Sequence, residues 1–144
     1  MQNNKHTTKI RRGFTLLEII VVVMIIAVLA TLIAPKLLSR VGSAKHAAAK
    51  SKASSIAQAV ELYHLDIGLS QYNDDFDLEL LLLPQEDGGG PNGPYLQKRD
   101  DIIDPWGVPF EMLVPGNVNY SYDIISWGED GEAGGEDINA DVTQ

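Results

Sequence analysis

The chain has 144 residues, no cysteine and a formal net charge of −9. That length suits one modest domain with accessory segments, and the lack of cysteine excludes a disulfide scaffold and a thiolate metal site. Every acid except Glu18 lies from Glu61 onward, against only Lys98 and Arg99 there, so the C-terminal half is strongly acidic, which speaks against a nucleic-acid partner and suggests a divalent cation.

In chain order, Met1 to Gly13 carries Lys5, Lys9, Arg11 and Arg12 with no acid. Phe14 to Ala34 then runs as Leu, Ile, Val, Ala and Met, with Thr15, Glu18 and Thr31 as its polar residues. At ~1.5 Å per residue its roughly 21 residues reach about 31 Å, one hydrocarbon thickness. A soluble core helix of that length would show a polar face. The spacing therefore predicts a transmembrane helix, its N-terminus held in the cytoplasm by the flanking cations. A cleaved secretory signal is the other reading. Its apolar part would be shorter and would end in small residues, whereas Leu32-Ile33-Ala34-Pro35-Lys36 offers no such exit. Glu18 is the anomaly, because a carboxylate in hydrocarbon costs several kcal/mol unless paired.

Pro35 removes a backbone donor, which predicts a kink or loosening near Ala30 to Ala34. Helical spacing then resumes at Leu37, Val41, Ala44, Ala48, Ile56, Val60, Tyr63 and Ile67, with Gly68 as the stop. This half is amphipathic and needs a partner surface. His46 and His64 are too far apart on one helix to share a metal and read as surface or boundary residues. Gly68 to Asp101 reads mostly as loop, with one short buried helix or turn in Asp77-Leu78-Glu79-Leu80-Leu81-Leu82-Leu83. Asp104-Pro105-Trp106-Gly107-Val108-Pro109-Phe110 reads as a tight turn carrying a buried Trp106. Phe110 to Val114 and Val118 to Ser126 read as strands joined by a hairpin turn at Pro115-Gly116-Asn117. The tail holds Glu129, Asp130, Glu132, Glu136, Asp137 and Asp141 among four glycines. An EF-hand loop is rejected there, because its fifth position is Gly134 and a strand, not a helix, precedes it.

Arg12-Gly13-Phe14-Thr15-Leu16-Leu17-Glu18 resembles the processing site of type IV pilins and of the pseudopilins of type II secretion. The Asp104 to Phe110 segment and Glu61-Leu62-Tyr63-His64-Leu65-Asp66 are similar to those of the major pseudopilins in that family. Phe110 stands where they carry tyrosine, and the Tyr-Pro-Thr-Thr segment they carry after the helix is absent. The resemblance implies an α+β fold of the type IV pilin kind. In it a long N-terminal transmembrane and amphipathic helix packs on a small antiparallel sheet, with a loop-rich calcium-binding C-terminus. It implies a leader at 1–13, a transmembrane and filament-core helix at 14–34, its amphipathic continuation at 35–67, and a periplasmic part at 68–144. A prepilin peptidase would cut between Gly13 and Phe14 and methylate the Phe14 amine. That amine could then be neutralised by Glu18 of the adjacent copy; the competing reading has Glu18 snorkelling or pairing within its own chain. Calcium would be held by Asp130 and Asp137, with Glu136 or Asp141 as a further partner, and by backbone carbonyls near Trp127, Glu132 and Gly135. The other reading of the tail is a solvated acidic segment.

The implied function is that of the major structural subunit of a periplasmic filament anchored in the bacterial inner membrane, which helps push folded substrates through the outer membrane. The expected partners are further copies of the chain, minor pseudopilins, the prepilin peptidase and the inner-membrane assembly platform. No catalytic constellation is present in the sequence. The alternatives are a type IV pilin of a surface pilus, which commonly carries a cysteine pair missing here, and a membrane-anchored binding or enzymatic domain.

Overall fold

A computed structural model describes residues 13–144; the predicted cationic leader, apart from Gly13, lies outside the described residues. The chain divides into two compact units, Met1–Leu38 and Ser39–Gln144.

A single helix, α1 (Leu16–Ile67), contributes to both units. Its start follows from Thr15, whose Oγ1 accepts the Glu18 N–H at 3.2 Å while its carbonyl accepts the Ile19 N–H at 3.3 Å. That places Thr15 at the N-cap and Glu18 three residues later, the spacing of a capping box. The helix assignment is continuous past position 35, so the loosening expected there does not interrupt it. The helix ends in a Schellman motif: Gly68 N–H donates to Leu65 O at 3.3 Å, Leu69 N–H donates to His64 O at 3.1 Å, and Gly68 takes φ 72°. Glycine meets this left-handed turn without a Cβ penalty, as the sequence predicts.

In the unit Ser39–Gln144, one stripe of α1 is buried: Ala49, Ala53, Ile56, Ala57, Val60 and His64. Small residues let the rest of the unit approach the helix closely. Against this stripe lie Leu78, Leu81, Leu96, Ile102, Phe110, Met112, Tyr122, Ile124 and Val142, forming one core. The sheet has three antiparallel strands, β1 (Glu111–Leu113), β2 (Asp123–Ser126) and β3 (Val142–Thr143), in that order. Met112 pairs with Ile124 and Ser126 with Val142. The middle strand β2 is buried at every position. Tyr122 joins sheet edge to helix, its Oη donating to Ala57 O at 3.0 Å. Burial foremost, then the charge of Glu61 and the nearby Tyr72, pushes this phenol far above its ordinary range. It therefore stays a donor at any physiological pH. Lys52 ties the turn after Leu96 to the helix, donating to Asp100 O at 2.8 Å and Ile103 O at 2.9 Å.

Four local expectations are revised. Two are in the sheet. A third strand, β3, exists beyond the two read from sequence. The link between β1 and β2 is a longer loop, residues 114–122, not a tight turn at Pro115-Gly116-Asn117. Asp123 organises it: Oδ2 accepts from Asn117 N at 2.6 Å and Val118 N at 2.8 Å, and Oδ1 accepts from Asn119 N at 2.9 Å. His64 is buried, not a boundary residue, because Tyr63, Tyr72 and Phe76 enclose its ring. Its Nδ1 lies 2.9 Å from Val60 O, one helical turn earlier. Trp106 is half-buried, not fully buried, with His46 edge-on at 5.1 Å. The short buried turn around Leu80 is confirmed as a 3-10 turn, Leu78–Leu82, burying Leu78 and Leu81.

The Asp104 to Phe110 turn is built on a second buried carboxylate. Asp104 Oδ1 accepts from Trp106 N at 2.9 Å and Val108 N at 2.8 Å. Its Oδ2 accepts the Ser126 hydroxyl at 2.5 Å, tying the turn to β2. Gly107 at φ 94° lets the chain reverse within the tight turn the sequence predicts.

Burial alone would raise the Asp123 carboxyl, but the N–H donors of Val118, Asn119 and Asn117 and the Asn119 side chain outweigh it and hold it below the ordinary carboxylate range. Its contribution to stability is therefore complete above the unfolded value of about 3.9 and is lost as pH falls through the lower folded value. Asp123→Asn should lower the urea midpoint at neutral pH, and the gap from wild type should narrow steadily as pH is taken below about 3.9. A gap that stayed constant over that range would show that the carboxylate charge contributes nothing.

A second test concerns Gly42, which is buried. A Cβ there would collide with Ile138 Cγ2, so Ile138 of the acidic tail sits in a notch that only glycine leaves open. Gly42→Leu should gain roughly 1 kcal/mol in helix propensity yet evict Ile138. The expected result is faster hydrogen exchange confined to residues 128–140, with the global unfolding midpoint little changed. Unchanged protection of that segment would mean the notch does not hold it.

Candidate processing and assembly site, and the acidic loop

The predicted processing and assembly residues lie at the head of α1. Gly13 and Phe14 precede the helix and are exposed, Phe14 to 80%. Leu16–Ala34 is long and apolar enough to cross a membrane, and none of it is buried within the chain. Its polar side chains are disposed of locally where that is possible. Thr15 caps the helix, and Thr31 Oγ1 donates to Val28 O at 2.8 Å. The Glu18 carboxylate is different. Its own backbone N–H serves the cap, but among the described residues no cation forms an ion pair with its side chain. The described residues thus expose an apolar surface and place on it one carboxylate to which none of them supplies an ion-pair partner. Thr15 is a residue the sequence reading did not use, although the Thr-x-x-Glu spacing carried the signal.

The acidic loop belongs to the other unit. Glu129 N–H donates to Ile138 O at 3.1 Å, which closes its neck. Inside, the predicted calcium ligands are spread out. Asp130 Oδ1 accepts from Glu132 N at 3.2 Å in a local turn. Both oxygens of Asp141 accept from Gly134 N, at 3.0 and 2.9 Å. Asp137 opens the 3-10 turn Asp137–Asn139 at φ 54°, with Glu136 before it. Gly135, at φ 92°, lies where a Cβ would strike the Asn139 carbonyl. The Trp127 side chain turns to β1, its Nε1 donating to Glu111 Oε2 at 3.0 Å. Among the described residues no group of three or more Asp, Glu, His or Cys side chains is close enough to hold a metal ion. The all-oxygen donor set has the right chemistry for a hard cation. The arrangement is not a ready cage, because these carboxylates do not converge on one point. The buried carboxylates that do organise this unit, Asp104 and Asp123, were not singled out as such by the sequence.

Comparisons with known proteins agree on one family. The sequence profile described as "Type II secretion system (T2SS), protein G" matches residues 36–144. The profile described as "Prokaryotic N-terminal methylation motif" matches residues 8–34. The chain is 39% identical over 135 residues to type II secretion system core protein G of Pseudomonas aeruginosa, covering 90% of this chain and 92% of that one. It is 36% identical over 132 residues to the protein of the same name from Xanthomonas campestris, covering 90% and 87%. Among solved structures, the major pseudopilin from the type 2 secretion system of enterohaemorrhagic Escherichia coli matches with a TM-score of 0.56 and 26% identity, covering 76% of this chain and 94% of that chain. By both profiles and by these relatives, the chain belongs to the protein G family of type II secretion, the major pseudopilins.

Proposed function

We propose that this chain is the major structural subunit of a type II secretion pseudopilus, and that it polymerises through the apolar head of α1. The observation that carries the reading is the exposed apolar segment Leu16–Ala34 with Glu18 at its head, which has no ion-pair partner among the described residues. In the bilayer that segment is solvated by lipid, and in a fibre the same surface is covered by neighbouring copies. Cleavage between Gly13 and Phe14 creates an amine at Phe14, and methylation leaves it basic. Glu18 of one copy then meets the Phe14 amine of the next. Two unpaired charges are costly where water is scarce, so their mutual neutralisation selects one register among the copies.

The subunit is anchored in the inner membrane by a single span, with its N-terminus cytoplasmic and Ser39–Gln144 on the periplasmic side. The peptidase that cuts it, minor pseudopilins and an inner-membrane assembly platform are its working partners. The pseudopilus reading is preferred to that of a surface pilin because the family matched along residues 36–144 is that of secretion protein G.

Mass spectrometry of the mature chain should show an N-methylated Phe14 as the first residue. Glu18→Gln removes the charge at nearly constant volume and should abolish or sharply slow fibre assembly in the native envelope while leaving membrane insertion intact. An intact Met1, or fibres forming at the wild-type rate in Glu18→Gln, would overturn the pairing.

A calcium ion is proposed to order the acidic loop, gathering Asp130, Asp137 and Asp141 or Glu136 with nearby backbone carbonyls. The support is chemical: dense carboxylates that repel one another, and glycines that let carbonyl oxygens turn inward. Binding to the folded state alone would add about 2.7 kcal/mol at a hundredfold excess over Kd. Calcium should therefore raise the melting temperature of the mature chain, magnesium should do so less, and Asp130→Ala should lose the effect. No shift with calcium would leave the loop a solvated acidic segment.

A further inference from the structure

A groove of about 630 Å³ opens on the Ser39–Gln144 unit, with Phe76, Phe110 and Met112 among its apolar lining. Asp74, Asp77, Glu79 and Glu111 contribute carboxylates to it, and Arg99 is its single cation. Arg99 is already committed to Glu79 at 2.6 Å. Asp77 accepts the Glu79 N–H. Asp74 and Glu111 therefore add negative charge to an apolar cleft with no cation paired to them among the described residues.

The complementary surface is on the same molecule. From Lys36 to Val60 the chain holds Lys36, Arg40, Lys45, Lys50 and Lys52 and no acid. Lys52 is used on Asp100, and Lys45 lies over the Trp106 ring at 5.7 Å. Arg40 and Lys50 are exposed and form no ion pair among the described residues. Exposed Ala44 and Ala47 lie between them, small enough for this face to be approached closely. No residue of α1 lines the groove, and Asp74 and Glu111 have no ion pair among the described residues.

We propose that the acidic groove of one copy receives the Arg40 to Lys50 face of α1 from a second copy. Such a contact joins two different surfaces of one chain, so it repeats head to tail and extends as an open filament wherever its rotation does not close a ring. Opposite charges at its margins fix orientation and discourage wrong registers. This rests on the fibre reading above and adds to it a contact in the Ser39–Gln144 unit, separate from the Glu18 pairing.

The chain has no cysteine, so engineered pairs report without background. Asp74→Cys with Lys50→Cys, in the full chain assembled in its native envelope, should give a ladder of dimers and longer multimers in sheared fibres treated with a short bismaleimide. Each single variant should give no ladder. Glu111→Lys should cut fibre yield about tenfold, and adding Lys50→Glu should restore it. Normal fibres from the double-cysteine chain with no ladder would overturn the contact, as would unimpaired assembly of Glu111→Lys. Should Glu111→Lys fail to fold, as judged by its melt, the cysteine pair alone decides. Failure of the fibre reading itself is distinguishable, because the wild-type chain would then form no fibres.

Discussion

Burial of one stripe of α1 holds the Ser39–Gln144 unit together. Strands of three, four and two residues cannot form a stable sheet alone, since a small sheet needs a packed face to persist in water. Ala49, Ala53, Ile56, Ala57 and Val60 provide that face. The small volume of the three alanines lets Tyr122 reach the Ala57 carbonyl, and Ile124 and Leu81 pack in fully buried. The second half of α1 thus supplies one face of this unit's core. Changes that disturb the buried stripe reach the sheet directly.

Three carboxylates show how the chain handles charge away from water. Asp104 and Asp123 are buried, and each is surrounded by backbone N–H donors that satisfy its oxygens. Both convert the cost of burial into fixed turns flanking β1 and β2. Glu18 sits at the head of an exposed apolar helix with no ion-pair partner among the described residues. The first two are satisfied inside one molecule, and the third has no such internal partner among the described residues. The same logic extends to the acidic groove and the acid-free stretch of α1, whose charges match each other without meeting in one chain.

The acidic tail follows a different rule. Its neck is closed and Ile138 is seated against Gly42, so its placement is set by an apolar anchor. Its carboxylates instead turn to local N–H groups. Composition announces an acidic loop; it does not say where each carboxylate points, because that depends on which backbone donors the glycine turns present. The register of Asp137, Glu136 and Asp141 was open in the sequence for this reason.

What the sequence determined by itself is what depends on neighbours along the chain. The membrane-length apolar run, the Gly13-Phe14 junction, the place of Glu18, the stop at Gly68 and the turn at Gly107 are all local, fixed by hydrophobic length, capping chemistry and backbone freedom. Tertiary structure decided what depends on residues far apart. Val142 and Thr143 are too few to show a strand period and become β3 only because β2 offers a free edge. His64 is buried because Tyr72 and Phe76 fold back over it. Asp104 becomes a hub because Ser126 arrives beside it. Such contacts are made only when the chain collapses onto α1, and no window of sequence contains both partners.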